Sequence, residues 1–514
     1  MNGADILIET LVAGGVRVCF TNPGTSEMHI VAALNRRSEL RAVLTLFEGV
    51  ATGAADGYAR MAGKPACTLL HLGPGLANGL ANLHNARRAN VPIVNVVGQH
   101  ATYHLPHDTP LTSDIEGIAL PYSRWVRTSM SAREIGRDTV DAIVASLIPP
   151  GQIATLIVPA DVAWEQGVEP IGECTVPSPP LPAAATIRAV AEKLRDTQNS
   201  ALLLSGSALY GSGLTSAGRI AAATGAGLLS PYPFTRLQRG SGAPPVVRMP
   251  YILERAREFL KNIRLLILVG AAPPMAYFAS PGRTSTFTAA ECEIYTLSNA
   301  AEDCAGALNA LASELGVHHL QPLVSSSQDT PVPSGAITLD GIAAAIAALL
   351  PENAIVVDES MTSGNAILPA VQHSAPHDYL ANTGGSIGIA MPLALGAAIA
   401  CSDRRVLCLS ADGSGMYTLQ ALWSMAREGL NVTNVIFANR VYGVLKREYL
   451  NLGIGEPDPP ARDLLEIGRP DLDWVSLARG MGVPAQRISS LDELVKALMQ
   501  GFAADGPTLI EIPL

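Results

Sequence analysis

The stretch RVLCLSADGSGMYTLQALWSMAREGLNVTNVIFANRVYGVLKRE, residues 405–448, decides the fold of this chain. Its apolar run over 405–409 predicts a short buried strand, and 411–415 predicts a loop at the carboxyl end of that strand. Apolar residues at helical spacing over 418–428 predict a helix that Gly429 ends. A second β-branched run, 432–438, predicts the next parallel strand. The stretch is therefore a strand–helix–strand unit with polar loops at the carboxyl ends of neighbouring strands.

These two loops carry oxygen ligands. Asp412 offers a carboxylate and Asn439 an amide oxygen, and loop carbonyls add to them. Hard oxygen ligands suit Mg²⁺ or Ca²⁺ rather than zinc. Gly413 and Ser414 leave backbone N–H groups free to meet a phosphate at a helix N-terminus. The pattern favours a diphosphate bridged to the protein through Mg²⁺, and the alternative is a sheet-edge turn with a capping aspartate.

The amino-acid composition limits the classes of protein to which the chain can belong. A chain of 514 residues with 48% hydrophobic and 16% charged residues predicts two to four domains and a large core. A net charge of −10 argues against nucleic-acid and membrane-surface partners. Seven cysteines without metal-binding spacing argue for a reduced compartment and no zinc site. With neither a secretory signal nor a membrane span evident, we expect a cytoplasmic protein.

Alternation of short apolar runs with helical patterns divides the chain into three α/β blocks. The first, 1–170, has strands expected over 16–20, 42–46, 66–70, 93–97 and 154–158. A Pro-rich linker over 176–185 leads to the second, 186–325, with its clearest strands over 201–204 and 265–269. A Ser/Pro-rich linker over 324–335 leads to the third, 336–514. We expect three doubly wound parallel-sheet domains.

Two ionisable side chains mark a second constellation, in the first block. Glu48 ends a predicted strand and precedes a helix of small residues, and His71 ends another predicted strand before a Gly/Pro-rich loop. Glu48 alone could be a helix cap or the partner of Arg60 or Lys64, and a single strand-end histidine is more often structural. Two such groups at the ends of separate strands, each beside a Gly-rich turn, favour a functional site.

Asp412 and Asn439 lie 27 positions apart (439 − 412), across one helical crossover. This resembles the metal–diphosphate motif of the thiamine-diphosphate-dependent enzymes, in which Gly-Asp-Gly is followed by Asn-Asn. Ala411 and Ala438 replace the first Gly and the first Asn of that motif. The loop 22–27, Glu48 with its helix, His71, and the segments 358–360, 382–388 and 392–396 extend the resemblance over the whole chain. Within the family, the chain is most similar to benzoylformate decarboxylases and acetolactate-synthase-like enzymes.

The resemblance implies thiamine diphosphate and Mg²⁺ as cofactors. It makes the three blocks the pyrimidine-binding, central and pyrophosphate-binding domains, in that order. It also implies that the metal is held by Asp412, Asn439 and the backbone carbonyl of Val441. The positions that it assigns to the cofactor are Glu48, Thr362, Ser363, Gly385, Ile387, Asp412, Gly413, Ser414, Asn439, Tyr442 and Gly443.

Each implied role has a physical reason. Glu48 would bind a pyrimidine ring nitrogen and favour the imino tautomer, whose nitrogen takes the proton of the reactive thiazolium carbon. Gly385 would offer a carbonyl to the amino group, and Ile387 would be the wedge that bends the cofactor. In this family each site lies between two subunits, so Glu48 and Asp412 in different domains imply a homodimer or homotetramer.

The implied reaction is non-oxidative decarboxylation of a small 2-oxo acid through an enamine intermediate. His71 would exchange protons with that intermediate, and Thr25 or Ser26 would bind the substrate. Asn78 would orient a neighbour. Benzoylformate decarboxylases carry a second active-site histidine that should lie in 273–280, and none occurs there. Its absence favours carboligation, and charged residues over 446–448 favour a polar or charged 2-oxo acid.

Two alternatives stay open. An acetolactate-synthase-type transferase would join two 2-oxo acids; the missing histidine favours it, and His71 favours the decarboxylase. Such synthases usually bind FAD, but residues 206–213 match a dinucleotide fingerprint poorly, so we expect no FAD. A non-catalytic thiamine-fold protein would require loss of Glu48, Asp412 or Asn439, and all three are present.

Overall fold

A computed structural model describes residues 1–167, 169–170, 172 and 174–514. Residues 168, 171 and 173 lie outside the described residues, so the predicted first block is described except at position 168. Three sheets organise the described chain, and helices alternate with their strands. Because nearly all strand pairs are parallel, the prediction of an α/β fold with three doubly wound parallel sheets is confirmed. The domain boundaries stay predictions.

The first sheet is formed by residues 18–159 and is entirely parallel. Its strands are β1 (Val18–Asn22), β2 (Arg41–Leu44), β3 (Ala66–Leu70), β4 (Ile93–Gln99), β5 (Trp125–Thr128) and β6 (Ile153–Pro159). Its helices are α1 (Gly3–Ala13), α2 (Met28–Leu34), α3 (Glu48–Ala62), α4 (Leu72–Ala89), α5 (Ile115–Ala119), α6 (Ile135–Leu147) and α7 (Ala160–Trp164). The strand order is β2-β1-β3-β4-β6-β5. The sequence did not indicate β5, because this edge strand has no buried residue and therefore no apolar run.

The second block contributes six strands. They are β7 (Ser200–Leu204), β8 (Gly227–Ser230), β9 (Arg236–Arg239), β10 (Val247–Arg248), β11 (Leu265–Val269) and β12 (Glu293–Ser298). Its helices are α8 (Ala184–Asp196), α9 (Gly211–Thr224), α10 (Leu253–Leu260) and α11 (Cys304–Glu314). Five of the strands form a parallel sheet in the order β10-β8-β7-β11-β12. The predicted strands over 201–204 and 265–269 are its two central strands.

The third sheet contains the stretch from which the sequence analysis began. Its strands are β13 (Ala354–Glu359), β14 (His377–Ala381), β15 (Val406–Ala411), β16 (Val432–Ala438), β17 (Ala485–Arg487) and β18 (Thr508–Pro513). Its helices are α12 (Leu339–Leu349), α13 (Ile367–Ala370), α14 (Ala390–Ala400), α15 (Asp412–Gly415), α16 (Ala421–Glu428), α17 (Gly443–Asn451), α18 (Pro459–Leu465), α19 (Trp474–Gly480) and α20 (Leu491–Ala503). The strand order is β17-β18-β16-β15-β13-β14-β9.

Strand β9 crosses from the second block into the third sheet. It pairs antiparallel with β14, with Leu237 opposite Tyr379. Both of these side chains are fully buried. All other strand pairs of the third sheet are parallel, as predicted. The boundary between the predicted central and third blocks is therefore crossed by sheet hydrogen bonds.

Close packing of α3 against α14 joins the first and third blocks. A Cβ on Gly57 would lie 2.1 Å from the carbonyl oxygen of Leu393, and a Cβ on Gly396 would lie 1.9 Å from that of Ala54. Only glycine permits two helix backbones to approach this closely. The runs of small residues around Glu48 and over 384–399 therefore serve this contact. No helix in the described part of the chain combines the length and apolar character needed to cross a bilayer.

Candidate active site

Asp412 connects the polar loops that follow β15 and β16. Its side chain is only 2% exposed, and it accepts hydrogen bonds from the backbone N–H groups of Gly413 at 2.8 Å and Arg440 at 2.7 Å. Arg440 has a positive φ of 58°, which costs free energy for a non-glycine residue. Its guanidinium pairs with Asp471 at 2.7 Å, so two contacts stabilise this conformation. The predicted loop over 411–415 is wrong, because Asp412–Gly415 forms a short helical turn.

The positions assigned to the diphosphate lie together around this turn. The side-chain nitrogen of Asn439 is 3.5 Å from the Ser363 hydroxyl, and a Cβ on Gly443 would lie 2.9 Å from the Thr362 hydroxyl. The Tyr442 ring packs on Gly413, since a Cβ there would lie 2.7 Å from the ring. Residues far apart in the sequence thus line one concave surface. Ser414 is buried within the same turn.

The donors available for a metal ion here are oxygens. In the described residues, no group of three His, Cys, Asp or Glu side chains could hold a metal ion. A cation at this turn would therefore depend on Asp412, the Asn439 amide and backbone carbonyls, of which Val441 contributes one. That donor set fits Mg²⁺ or Ca²⁺. Burial raises the pKa of Asp412 despite the two backbone donors, and a bound cation would favour its charged form.

Glu48 lies at the first position of α3. The strand before it ends at Leu44, so the prediction that Glu48 ends a strand is wrong. Its carboxylate is 7% exposed and accepts hydrogen bonds from Asn22 at 3.2 Å and from Asn78 at 3.0 Å. The ion pair considered with Arg60 does not form, because that arginine pairs with Asp56 at 2.7 Å. Two neutral amides therefore orient the carboxylate, and Asn78 has the orienting contact that was predicted for it.

His71 belongs to a hydrogen-bonded group of three side chains. It follows β3 as the residue before α4, and its Nδ1 lies 2.8 Å from Glu27 and 3.2 Å from the Ser26 hydroxyl. Ser26 in turn donates to Glu27 at 2.6 Å. Thr25 is exposed and makes no side-chain hydrogen bond within the described chain. Of the two hydroxyls considered for the substrate, Ser26 is thus the one joined to His71.

Glu27 is a site residue that sequence reasoning missed. Its side chain is fully buried, and it also accepts a hydrogen bond from the Gly24 N–H at 2.8 Å. Gly98 of β4 leaves the space for it, since a Cβ at that position would lie 1.7 Å from the Glu27 carboxylate. The available signal was an acidic residue beside Thr25 and Ser26 in a polar loop. Its partner His71 is 44 residues away in sequence, so the pairing itself was not readable.

Glu359 is the second missed residue, and it holds the loop with Gly385 and Ile387. Its carboxylate, 3% exposed, accepts hydrogen bonds from the Asn382 side chain at 2.9 Å and from the backbone N–H groups of residues 388, 389 and 390 at 3.1, 3.0 and 3.1 Å. Burial raises the pKa of Glu359 to about 7, although these four donors lower it. Gly385 has a φ of 79° with open space beside its Cα.

Helix α4 connects the two parts of the candidate site. Asn85 donates to the Ser386 carbonyl at 2.9 Å, and His84 Nε2 lies 3.1 Å from the Gly384 carbonyl. No side-chain hydrogen bond or ion pair between described residues joins Glu48 or His71 directly to Asp412 or Asn439. One chain therefore carries two separate clusters of site residues at the ends of two different sheets.

Tyr277 lies in the segment 273–280, where benzoylformate decarboxylases would carry a second active-site histidine. Tyr277 packs against Tyr232 and Tyr251, with ring centroids 6.1 Å and 5.3 Å apart. Burial raises the pKa of Tyr251 to about 12 and also raises that of Tyr277. The charged residues over 446–448 lie on α17, a helix without any buried residue.

Glu48 follows the carboxyl end of a strand of the first sheet and Asp412 that of a strand of the third sheet, an arrangement that fits a thiamine-diphosphate enzyme. The family model for the N-terminal TPP-binding domain of thiamine pyrophosphate enzymes matches residues 1–118, and the model for their C-terminal TPP-binding domain matches 363–512. The chain belongs to this family, as the sequence analysis predicted.

Similar proteins indicate which members of the family the chain resembles. The chain is 51% identical to "Putative acetolactate synthase large subunit IlvX" of Mycobacterium tuberculosis, over all of this chain and 99% of the relative. It is 28% identical to benzoylformate decarboxylase of Pseudomonas aeruginosa, over 98% and 97%. The solved 4-hydroxybenzoylformate decarboxylase of Rhodococcus jostii RHA1 shares the fold, with a TM-score of 0.88 at 24% identity, over 99% and 98%. The protein is therefore a thiamine-diphosphate-dependent enzyme of the decarboxylase and acetolactate synthase group.

Proposed function

We propose that this enzyme decarboxylates a small 2-oxo acid non-oxidatively, with thiamine diphosphate and Mg²⁺. The observation that carries the proposal is the group formed by His71, Glu27 and Ser26. After carbon dioxide leaves, the substrate carbon must receive a proton if an aldehyde is to be released. A histidine with a buried carboxylate partner suits that step, because the carboxylate orients the ring and leaves Nε2 free to face the substrate.

Glu48 would bind the cofactor ring. Its two amide partners, Asn22 and Asn78, fix the carboxylate without neutralising it. It is therefore available to accept a hydrogen bond from the protonated ring nitrogen of the imino tautomer. Bound thiamine diphosphate would supply the nucleophilic carbon and the electron sink of the reaction. The carbonyl of Gly385 and the side chain of Ile387 would hold the same ring from the other side.

The turn around Asp412 would hold the metal and the diphosphate. Asp412, Asn439 and the Val441 carbonyl supply oxygen ligands suited to Mg²⁺. The backbone N–H groups of 413 and 414 and the hydroxyls of Thr362 and Ser363 would meet phosphate oxygens, and Tyr442 and Gly443 would close the turn. These contacts bind and orient, and the proton chemistry would lie with the residues of the first sheet.

His71 would act through Nε2, since Nδ1 is engaged by Glu27 and Ser26. Ser26 or Thr25 would bind the substrate carboxylate or keto oxygen. We further propose a homodimer or homotetramer in which Glu48 of one subunit faces Asp412 of another. This arrangement is supported by the two separate clusters within one chain. Cytoplasmic location stays a prediction.

The test combines cofactor binding with product analysis. Purified protein would be titrated with thiamine diphosphate and Mg²⁺ and then given pyruvate, 2-oxoglutarate and benzoylformate. We expect saturable cofactor binding, carbon dioxide and an aldehyde, with polar or charged acids turned over faster than benzoylformate. Protein that binds the cofactor but releases no carbon dioxide from any 2-oxo acid would overturn the proposal.

A second candidate is an acetolactate-synthase-type transferase. The observation that favours it is a cavity of about 1050 Å³ beside the second sheet, bordered by Gly206, Ser207 and five arginines, among them Arg87, Arg88 and Arg124. Such a volume accommodates a dinucleotide, and arginines suit its phosphates. A yellow protein that releases a flavin, and that forms 2-hydroxy-3-oxo acids from two 2-oxo acids, would favour the transferase over the decarboxylase.

A further inference from the structure

We propose that His100 is a second catalytic residue of this enzyme, the proton acceptor that complements His71. The inference rests on the proposed decarboxylation. It also answers a question that the sequence raised, because residues 273–280 contain no histidine to share the proton transfers.

Strand topology brings His100 next to the His71 group. β3 and β4 are parallel neighbours, with Leu70 opposite Val97. His71 follows β3 directly, and His100 follows β4 directly. Both histidines therefore emerge at the same edge of the sheet, where neighbouring strands are about 4.8 Å apart.

The direction of the His100 side chain also places its ring on the side of the His71 group. The Cβ direction of Gly98 leads to the Glu27 carboxylate, 1.7 Å from where that Cβ would be. Alternate residues of an extended chain face the same side of a sheet. His100 comes two residues after Gly98, so its ring is directed to the side on which Glu27 and His71 lie.

The surroundings of His100 favour its neutral form. Its ring centroid lies 5.5 Å from that of His104, which is 5.6 Å from that of His107. Burial, the charge of His104 and the charge of His71 lower the pKa of His100. Thr109 Oγ1 lies 3.4 Å from its Nε2. Two carboxylates of the neighbouring segments are already engaged, Glu27 by His71 and Asp161 by Thr102.

Three proton transfers are needed per turnover, two to the substrate and one from it. The keto oxygen would gain a proton from solvent when its carbonyl carbon is attacked. The carbon that loses carbon dioxide would then take a proton from His71, and the C–H bond uses the electron pair of the broken carbon–carbon bond. When the product carbonyl re-forms, the O–H bond would give its proton to His100 and its electron pair to the C=O bond. Bound thiamine diphosphate would serve as nucleophile, electron sink and leaving group, so one proton is consumed overall.

A neutral His100 suits the transfer of a proton from the product oxygen. His71 with its carboxylate partner suits the transfer of a proton to carbon. The two histidines lie at the ends of adjacent strands, where His71 would act as the acid and His100 as the base.

The first experiment uses the cofactor-free protein. Histidine ring resonances would be titrated by NMR in the wild type, His100→Gln and His71→Gln. His100→Gln assigns the His100 ring resonances. We expect the midpoint of His100 to rise by roughly half a pH unit in His71→Gln, because a neighbouring positive charge is lost. His29→Gln is the matched control, because His29 packs on Trp164 at 5.7 Å and lies on a different element. An unchanged His100 midpoint in His71→Gln would overturn the inference.

The second experiment measures the pH profile of kcat for the holoenzyme. His100→Gln should lower kcat roughly 100-fold and remove the acidic limb of the profile, with cofactor affinity and melting temperature unchanged. A variant with wild-type kcat and profile would refute His100 as the acceptor. If the wild type itself releases no carbon dioxide, the proposed function fails, and the NMR titration still decides whether the two histidines interact.

Discussion

The carboxylates of the first sheet and those of the third sheet are satisfied in different ways. Glu48 and Glu27 receive hydrogen bonds mainly from side chains, namely asparagines, a serine and a histidine. Asp412 and Glu359 receive them mainly from backbone N–H groups. All four are buried.

Carboxylates held by side chains and carboxylates held by backbone N–H groups are suited to different functions. A carboxylate held by side chains can gain or lose a proton while the backbone stays in place. A carboxylate held by backbone N–H groups fixes the path of the chain, so its loss moves loops. The first sheet is therefore suited to proton transfer and the third to binding, and four predictions test this contrast.

The largest effect is expected from Glu48→Gln. Glutamine keeps the shape but has no negative charge to stabilise a protonated ring nitrogen of the cofactor, so kcat should fall roughly 1000-fold. The melting temperature should change little, since its partners are side chains. Glu39→Gln, at an exposed position, is the control. Steady-state kinetics and thermal unfolding measure both quantities, and full turnover by Glu48→Gln would remove the role proposed for this residue.

The next effect concerns pH and stability. The pKa of Glu359 is about 7 in the folded protein and about 4.5 in the unfolded chain, so the folded state holds the proton more tightly. Its contribution to the free energy of unfolding is complete below pH 4.5 and decreases as pH rises to 7, by about 3 kcal/mol.

Urea unfolding at several pH values measures this slope. In Glu359→Gln, this decrease of about 3 kcal/mol in the free energy of unfolding between pH 4.5 and 7 should be absent. Glu352→Gln, at an exposed neighbouring position, should retain it. An identical slope in wild type and Glu359→Gln would mean that the carboxyl group stays charged in the folded protein.

Asp412→Asn should act on binding rather than on the chemical step. Removing the only carboxylate of the proposed Mg²⁺ ligands should weaken cofactor affinity roughly 100-fold, or about 2.7 kcal/mol. At saturating cofactor and Mg²⁺, kcat should recover most of its value. Calorimetric titration measures the affinity, with Asp403→Asn as an exposed control. Unaltered affinity would show that the metal does not depend on this oxygen.

The smallest effects are expected from Asn22→Ala and Asn78→Ala. Each removes one donor to the Glu48 carboxylate, and each should lower kcat roughly tenfold. Because both act on one group, the double variant should deviate from the product of the single effects. A double-mutant cycle on kcat measures the deviation. Strictly multiplicative effects would indicate that the two asparagines act independently of Glu48.

The sequence predicted what depends on local pattern. The buried strands over 66–70, 93–97, 201–204, 265–269 and 432–438 have continuous apolar runs, and each occurs where it was expected. Edge strands such as β5 and β12 have few buried residues and gave no such pattern. The family resemblance, which depends on motifs at strand ends, is likewise confirmed.

Pairings between distant residues were beyond the reach of the sequence. Glu27 meets a histidine 44 positions away, and Glu359 meets a backbone N–H group 30 positions away. Neither distance is encoded in periodicity or composition. The role of Glu48 stays a prediction, and its position within the helix and its asparagine partners emerged only from the packing of α3 and α4.

The antiparallel strand β9 has a consequence for how the polypeptide comes apart. A protease that cuts the exposed linker over 324–335 would leave two pieces, yet the amino-terminal piece would still contribute the outer strand of the carboxyl-terminal sheet. The nicked protein should therefore migrate as one particle until denaturant is added. Genetic truncation at the same linker would instead expose the edge of β14 and invite aggregation.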